Sequence, residues 1–388
     1  MTSASSDFPE HDTFESAGSR LTIDLGALAD NWRTMQKLSG SARAAAVVKA
    51  DGYGLGIEDV GETLLAAGAR DFFVATVQEG VTLRPYAPDA RIFVLSGIWP
   101  GMETFFFDYD LVPVLASEEQ LAFWMSAIAD YGDHPCALQI DTGFNRLGLP
   151  LDDALALASD VSRPSSFAPV LVLSHLARGD TPDAATNRLQ LESFRTVSAA
   201  FEGVESSLSA SAGIFLGPDY HFDLTRPGIA LYGGEAVHGV ANPMRPVVTA
   251  EARIIQIREA GTGQFVSYGG HHTLSRDSRL AIVSTGYADG YMRALSGAGV
   301  PLRSDGNPGA FGFIAGHKVP VVGRVTMDMT IFDITDLPHN AVHSGDYVQL
   351  IGANILLDDV ARAAGTIGYE LLTSLGLRYE RSYIQSED

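Results

Sequence analysis

From residue 20 onward the chain alternates short apolar runs with longer amphipathic stretches. The runs at 44–49, 71–75, 91–95, 111–115, 136–140, 170–174, 206–210 and 229–232 have the length and make-up of strands. Helical patterns separate most of them, for example 57–67, 118–129 and 187–201. Apolar runs this short, divided by helices, indicate strands buried on both faces and therefore a parallel sheet. Eight such units in succession predict an α/β chain whose residues 19–244 form a (β/α)8 barrel. The rhythm then changes. Segments 247–257, 280–284, 319–325 and 347–351 look β-like, with Gly, Asp and Pro between them, and only 357–374 reads strongly helical. A mostly β second domain is expected over 245–388. The strand-like segment 20–25 fits either domain, and residues 1–18, rich in Ser, Asp, Glu and Thr, are expected to form a disordered leader.

Charge narrows the range of partners. With 26 basic against 47 acidic residues the net charge is −21, which repels nucleic acid phosphates and anionic membranes. The single cysteine, Cys136, rules out an internal disulfide framework and fits a reducing compartment. It lies in an apolar run, which favours a buried structural thiol. No basic segment leading into an apolar stretch opens the chain, and no uncharged apolar run reaches membrane-spanning length. A soluble, cytoplasmic, globular protein is the expectation.

In a barrel of this kind, reactive groups gather where strands end. The first strand ends in Val47-Val48-Lys49-Ala50-Asp51-Gly52-Tyr53-Gly54. A lysine directly after a β-branched pair loses solvation, which lowers its pKa and frees the amine for Schiff-base chemistry. A strand-end lysine can also extend to solvent, so Lys49 alone decides nothing. The fifth strand leads into Asp141-Thr142-Gly143-Phe144-Asn145-Arg146, the sixth into Ser174-His175, and the seventh into Ser211-Ala212-Gly213, while Arg226-Pro227-Gly228 opens the eighth. Ser211 and Gly228–Ile229 thus fall where this fold commonly binds phosphate. His175 also reads as a structural histidine, and Arg146 and Arg226 as surface ion pairs. The second domain adds Val266-Ser267-Tyr268-Gly269-Gly270, Gly286-Tyr287-Ala288-Asp289-Gly290 and Gly323-Arg324-Val325-Thr326-Met327-Asp328-Met329. Each of these also reads as a plain hairpin, with Met327 and Met329 alternating as strand core residues would.

Taken in order and spacing, these segments resemble the alanine racemases, from about residue 20 to the C-terminus. The resemblance implies an isomerase that interconverts L- and D-alanine with pyridoxal 5′-phosphate, and no metal. Lys49 would hold the cofactor and act as base on one face of the substrate Cα. Tyr268 of the partner subunit in a homodimer would be the base on the other face. Tyr53, Ser211, Gly228, Ile229 and Tyr369 would bind the phosphate, and His175 would stack on the pyridine ring. Arg226 would hydrogen-bond the ring nitrogen and keep it unprotonated, which weakens the ring as an electron sink and disfavours transamination. Met327 of the partner subunit would contact the substrate carboxylate region, with Asp328 and Arg146, and Asp180, Tyr287 and Arg324 would line a narrow entry. Supply of D-alanine for peptidoglycan is the implied role.

Some positions depart from the pattern. Gln139 stands where many relatives carry a carbamylated lysine facing the residue equivalent to Arg146. The neutral amide, together with an anion such as chloride, is expected to hold Arg146 instead. Ala210 and Leu55 replace a frequent asparagine and histidine. A broader-specificity or serine racemase would share every catalytic residue. A barrel-plus-β decarboxylase would need a cysteine in the second domain, and a lone-barrel cofactor carrier would lack the second domain.

Overall fold

The computed structural model describes residues 13–160, 166–301 and 309–386. Two compact units emerge: one from Leu25–Arg245, the other from the N-terminal segment through Asp24 together with 246–386.

The first unit is built on a parallel sheet of Ala46–Val47, Asp71–Val74, Arg91–Val94, Leu111–Leu115, Cys136–Gln139, Pro169–Leu173 and Glu205–Ser207, paired in that order. Phe72, Phe73, Ile92, Phe93, Val94, Leu171 and Val172 are fully buried, as strands covered on both faces require. The ring closes through Leu224–Thr225. This strand pairs in parallel with Arg43–Ala44 on one side, and on the other the Arg226 N–H donates to the Ser209 carbonyl at 2.8 Å. The expected helices lie between the strands. Ile57–Ala67 spans the segment read from the sequence, and Val77–Leu83 opens on a reciprocal cap between Thr76 and Glu79.

One strand expectation is corrected. The run 229–232 is a short 3-10 turn, Ile229–Tyr232, and the eighth strand is the preceding Leu224–Thr225. All four residues of the turn are buried, and the buried Asn31 amide donates to the Leu231 carbonyl at 3.1 Å. A four-residue apolar run has the same hydrophobic signature whether it is buried as strand or as turn.

The second unit is antiparallel around the long strand Val248–Ala260, whose inner half alternates buried and half-buried residues. Ser19–Asp24 pairs antiparallel with it and parallel with Glu380–Ile384, so the N-terminal strand belongs to this unit. Tyr347–Ile351 and Ser278–Val283 also pair with the long strand, and Thr330–Asp333 pairs with Ser278–Val283. The stretch read as one helix is two, Leu357–Ala364 and Gly368–Ser374, parted where Gly365 caps the first in a left-handed conformation. Residues 1–12 of the expected leader lie outside the described residues, and Thr13–Ser16 form one helical turn.

At the N-terminal rim of the barrel, Asp71 and Glu205 are clasped by Arg43 and Arg91. The Asp71 carboxylate accepts from Arg91 Nε at 2.5 Å and Arg43 Nε at 3.3 Å, and Glu205 accepts from Arg43 Nη2 at 2.7 Å and Arg91 Nη2 at 2.8 Å. Asp71 is buried, so removing it leaves two guanidinium groups short of a partner. Asp71→Ala is expected to destabilise the barrel by about 2–3 kcal/mol, less than a fully buried pair because the arginines are partly solvated. Thermal unfolding followed by circular dichroism should show a midpoint roughly 5–10 °C lower, and an unchanged midpoint would refute the assignment.

Candidate active site

The C-terminal rim of the barrel gathers most of the expected site residues. Lys49 follows the first strand and opens an unusual turn: Ala50, Asp51, Gly52 and Tyr53 have φ of 55, 56, 61 and 57°. Left-handed conformation is unfavourable for residues with a Cβ, so outside contacts must hold it. Glu79 accepts from the Ala50 N–H at 2.7 Å, Asp51 Oδ1 accepts from the Ile57 N–H at 2.9 Å, and the Gly52 N–H donates to the Val48 carbonyl at 2.9 Å. The turn buries Tyr53, whose ring stacks on Tyr232 at 4.3 Å. Burial, reinforced by the charges of Arg146 and Arg226 against an opposing Glu79, lowers the Lys49 pKa from its ordinary value.

The seventh and eighth strands supply a polar cradle. The buried Ser211 Oγ accepts from the Gly228 N–H at 2.8 Å and the Ala230 N–H at 3.4 Å. A Cβ at Gly228 would lie 2.3 Å from the Tyr53 hydroxyl, so only glycine lets that hydroxyl lie against the backbone here. Hydroxyls of Ser211 and Tyr53 and the N–H groups of the Gly228–Ala230 segment therefore converge on one spot, the donor set a phosphate requires.

Arg226 lies buried behind this cradle. Its Nη1 donates to the Ser207 carbonyl and hydroxyl at 2.8 and 2.5 Å, and its Nη2 to the Ser174 carbonyl at 2.5 Å. Burial lowers its pKa to about 9, so it keeps its proton at neutral pH. His175, at the end of the sixth strand, is pushed down to about 3 by burial and the nearby charges of Arg226, Arg146 and Lys49. Its imidazole is accordingly neutral, a flat face suited to packing on an aromatic ring.

Arg146 does not engage Gln139 among the described hydrogen bonds, contrary to expectation. Its guanidinium lies over the Phe144 ring at 4.2 Å, and Phe144 meets His175 edge-on at 5.5 Å. The loop between is wound on Asp141, which accepts from the N–H groups of Gly143 and Phe144 at 2.8 Å each and of Asn145 at 3.0 Å. This stacking leaves the Arg146 donors available to an anion. Asp180, on the loop beyond His175, pairs with His238 Nε2 at 3.2 Å.

Tyr268, Tyr287, Arg324, Met327, Asp328 and Tyr369 belong to the second unit. Tyr268 tips the short hairpin Phe265–Val266 and His272–Thr273 and is 73% exposed. Its turn is fastened by Ser267 Oγ, which donates to the Arg324 carbonyl at 2.9 Å. Met327 and Met329 are exposed and precede the strand Thr330–Asp333, so the strand-core reading for them is excluded. The Asp328 carboxylate accepts from Arg378 Nη1 at 2.8 Å, which makes its visible task a structural one. Tyr369 is partly exposed on Gly368–Ser374.

Glu79, Gln190 and Arg378 are contributors that sequence reasoning missed. Gln190 is buried, donates to the His175 carbonyl at 2.9 Å and accepts from the Ala177 N–H at 2.9 Å, thereby fixing the His175 loop. The Thr76-x-x-Glu79 spacing announces a helix start, but nothing local to it points to Ala50. The described residues contain no group of three His, Cys, Asp or Glu side chains that could hold a metal ion. The residues present do fit pyridoxal phosphate: a desolvated lysine, a phosphate cradle, a neutral ring face and a buried cationic donor.

Comparison with known proteins agrees with this geometry. Residues 23–236 match the family described as alanine racemase, N-terminal domain, and 247–383 match alanine racemase, C-terminal domain. The chain is 74% identical over 383 residues to the biosynthetic alanine racemase of Agrobacterium fabrum, covering 98% of each protein. It is 63% identical to an alanine racemase of Rhizobium meliloti, over 96% of this chain and 98% of that one. Among solved structures, the alanine racemase from Bartonella henselae with covalently bound pyridoxal phosphate superposes with a TM-score of 0.87 at 36% identity, covering 95% of this chain and 100% of that one.

The Gly228 contact yields a direct test. Gly228→Ala must displace the Tyr53 hydroxyl, and the expected result is at least about tenfold weaker retention of pyridoxal phosphate, on the scale of one lost charge-assisted contact. Equilibrium dialysis of the purified variant measures this, and wild-type retention would remove Gly228 from the cradle.

Proposed function

The chain belongs to the alanine racemase family, and from that premise we propose that it interconverts L- and D-alanine with pyridoxal phosphate held on Lys49. The observation that carries this reading is the desolvated Lys49 amine, set beside the Ser211–Gly228–Tyr53 cradle at one rim of the barrel. When bound, the cofactor supplies an electron-withdrawing system that acidifies the substrate Cα–H.

Each residue then has a task. Tyr53, Ser211, Gly228 and Ile229, with Tyr369, bind the phosphate, and the neutral His175 packs on the ring. Arg226 donates to the ring nitrogen. Because it keeps its own proton, that nitrogen stays unprotonated, a setting that favours racemisation over transamination. Arg146, free of a carboxylate partner in the described contacts, holds the substrate carboxylate, together with Met327 of the partner subunit.

Racemisation requires removal and return of a proton on opposite faces of Cα. Lys49 Nζ serves one face, and its lowered pKa brings it closer to the working range of a general base. The partner subunit's Tyr268 serves the other. An exposed tyrosine on a fastened turn, with exposed Met327 and Phe265 in the same unit, supports a homodimer in which this surface is covered. The biosynthetic name of the relative at 74% identity supports a role in supplying D-alanine for peptidoglycan. No helix among the described residues is long and apolar enough to cross a membrane.

The decisive experiment is incubation of the purified holoenzyme with L-alanine and separation of the enantiomers. D-alanine should accumulate until the two enantiomers are equal, and a chain that produces none is not an alanine racemase. Tyr268→Phe is expected to retain cofactor while losing activity by at least about a thousandfold, as for loss of an essential base. A fully active Tyr268→Phe enzyme would refute the two-base assignment.

The Lys49 environment predicts a pH dependence. A lowered lysine pKa means that the neutral amine is present at lower pH than for an ordinary lysine near about 10.4. Covalent capture of pyridoxal phosphate at Lys49, trapped with borohydride and read by peptide mass, should therefore rise with pH through a midpoint below that value. Arg146→Gln removes one of the charges that lowers the pKa, so its midpoint should move up; a downward move contradicts the assignment.

A further inference from the structure

Asp289 is a carboxylate at 2% exposure in the turn that carries Tyr287. A buried carboxylate persists only when it is paired and hydrogen-bonded, and two groups satisfy this one. The Gly286 N–H donates to Oδ2 at 2.8 Å, and Arg378 grips both oxygens, Nε to Oδ1 at 2.7 Å and Nη2 to Oδ2 at 3.0 Å. The remaining edge of the same guanidinium reaches Asp328 through Nη1 at 2.8 Å.

One side chain thus joins two turns. The backbone draws them together as well: the Tyr287 N–H donates to the Thr326 carbonyl at 2.9 Å and the Ala288 N–H to the Met327 carbonyl at 3.0 Å. The approach is so close that a Cβ at Gly286 would lie 2.2 Å from the Thr326 carbonyl oxygen. The segment carrying Arg378 is tied in turn by the Gly376 N–H, which donates to the Asp289 carbonyl at 3.1 Å.

We propose that Arg378 is a positioning residue that welds the Tyr287 turn to the Met327–Asp328 turn and so fixes the width of the passage that admits substrate. What passes there rests on the racemase reading above. Tyr287 and Met327 are both exposed, so neither is held by packing alone, and the spacing of their turns is set by the bonds just described. A guanidinium is suited to this bridge because its planar fork can grip one carboxylate with two nitrogens and still present a third to another. Lysine has the charge but not the fork, and Asn at 328 has the shape but not the charge.

Arg378→Lys keeps a cation beside the buried Asp289 and is the variant expected to fold, while Asp328→Asn alters only the exposed end. Both should lower the ratio of kcat/KM for L-alanine over L-serine by about fivefold, the scale of one partly exposed ion pair. The double variant should show no greater loss than the larger single one, because both break the same link. Amide hydrogen exchange of 286–291 and 326–329 should quicken in each, with or without substrate. A general loss of folding would lower both substrates alike and leave the ratio intact. An unchanged ratio in Arg378→Lys overturns the proposal even if exchange quickens, and additive effects would mean that Asp328 acts on substrate independently of Arg378. If the wild type does not racemise alanine, the functional reading falls, and unchanged exchange would then overturn the weld separately.

Discussion

Four successive residues after Lys49 hold a conformation that L-residues avoid, and the geometry of the barrel rim depends on their staying there. The intrinsic penalty is about 1–2 kcal/mol for each residue bearing a Cβ. It is offset by contacts from outside the turn, chiefly Glu79 on Ala50 and the packing of Tyr53 on Tyr232. The return is directional. A right-handed continuation would carry Tyr53 away from the eighth strand, whereas the reversed turn folds its hydroxyl back onto Gly228. The amine and the polar cradle of Tyr53, Ser211 and Gly228 are brought to one rim by one strained loop.

The electrostatics follow from the same crowding. The chain as a whole is strongly acidic, yet burial and the nearby charges of Arg146 and Arg226 lower the Lys49 pKa against the opposing Glu79. A local cationic field within an acidic molecule concentrates small anions where they are used. Burial and the same field keep His175 neutral, and Arg226, lowered by burial to about 9, still carries its proton at neutral pH.

Much of this was legible in the sequence because parallel barrels write themselves as short apolar runs that end in reactive residues. Lys49, His175 and Ser211 were placed by that rule alone. The run 229–232 was misread because burial on every side looks the same in a strand and in a turn. Arg378, Gln190 and Glu79 were invisible for a different reason: each acts on a backbone or carboxylate far away in the chain, and no local spacing encodes such a partner. Asp328 shows the converse, since its motif marked it for substrate while its observed partner, Arg378, lies fifty residues on. Gln139 and Arg146, adjacent in the expected pattern, part because a guanidinium also finds stabilisation over an aromatic ring.

The ionic clasp of Arg43, Asp71, Arg91 and Glu205 sits at the barrel end remote from the chemistry and links strands one, two, three and seven. It spans the seam where the eighth strand contributes only Leu224–Thr225, the weakest point of closure. Stability secured there is independent of the loops that choose the substrate. Such a division of labour lets the loops of the reactive rim change without the scaffold having to be reinvented.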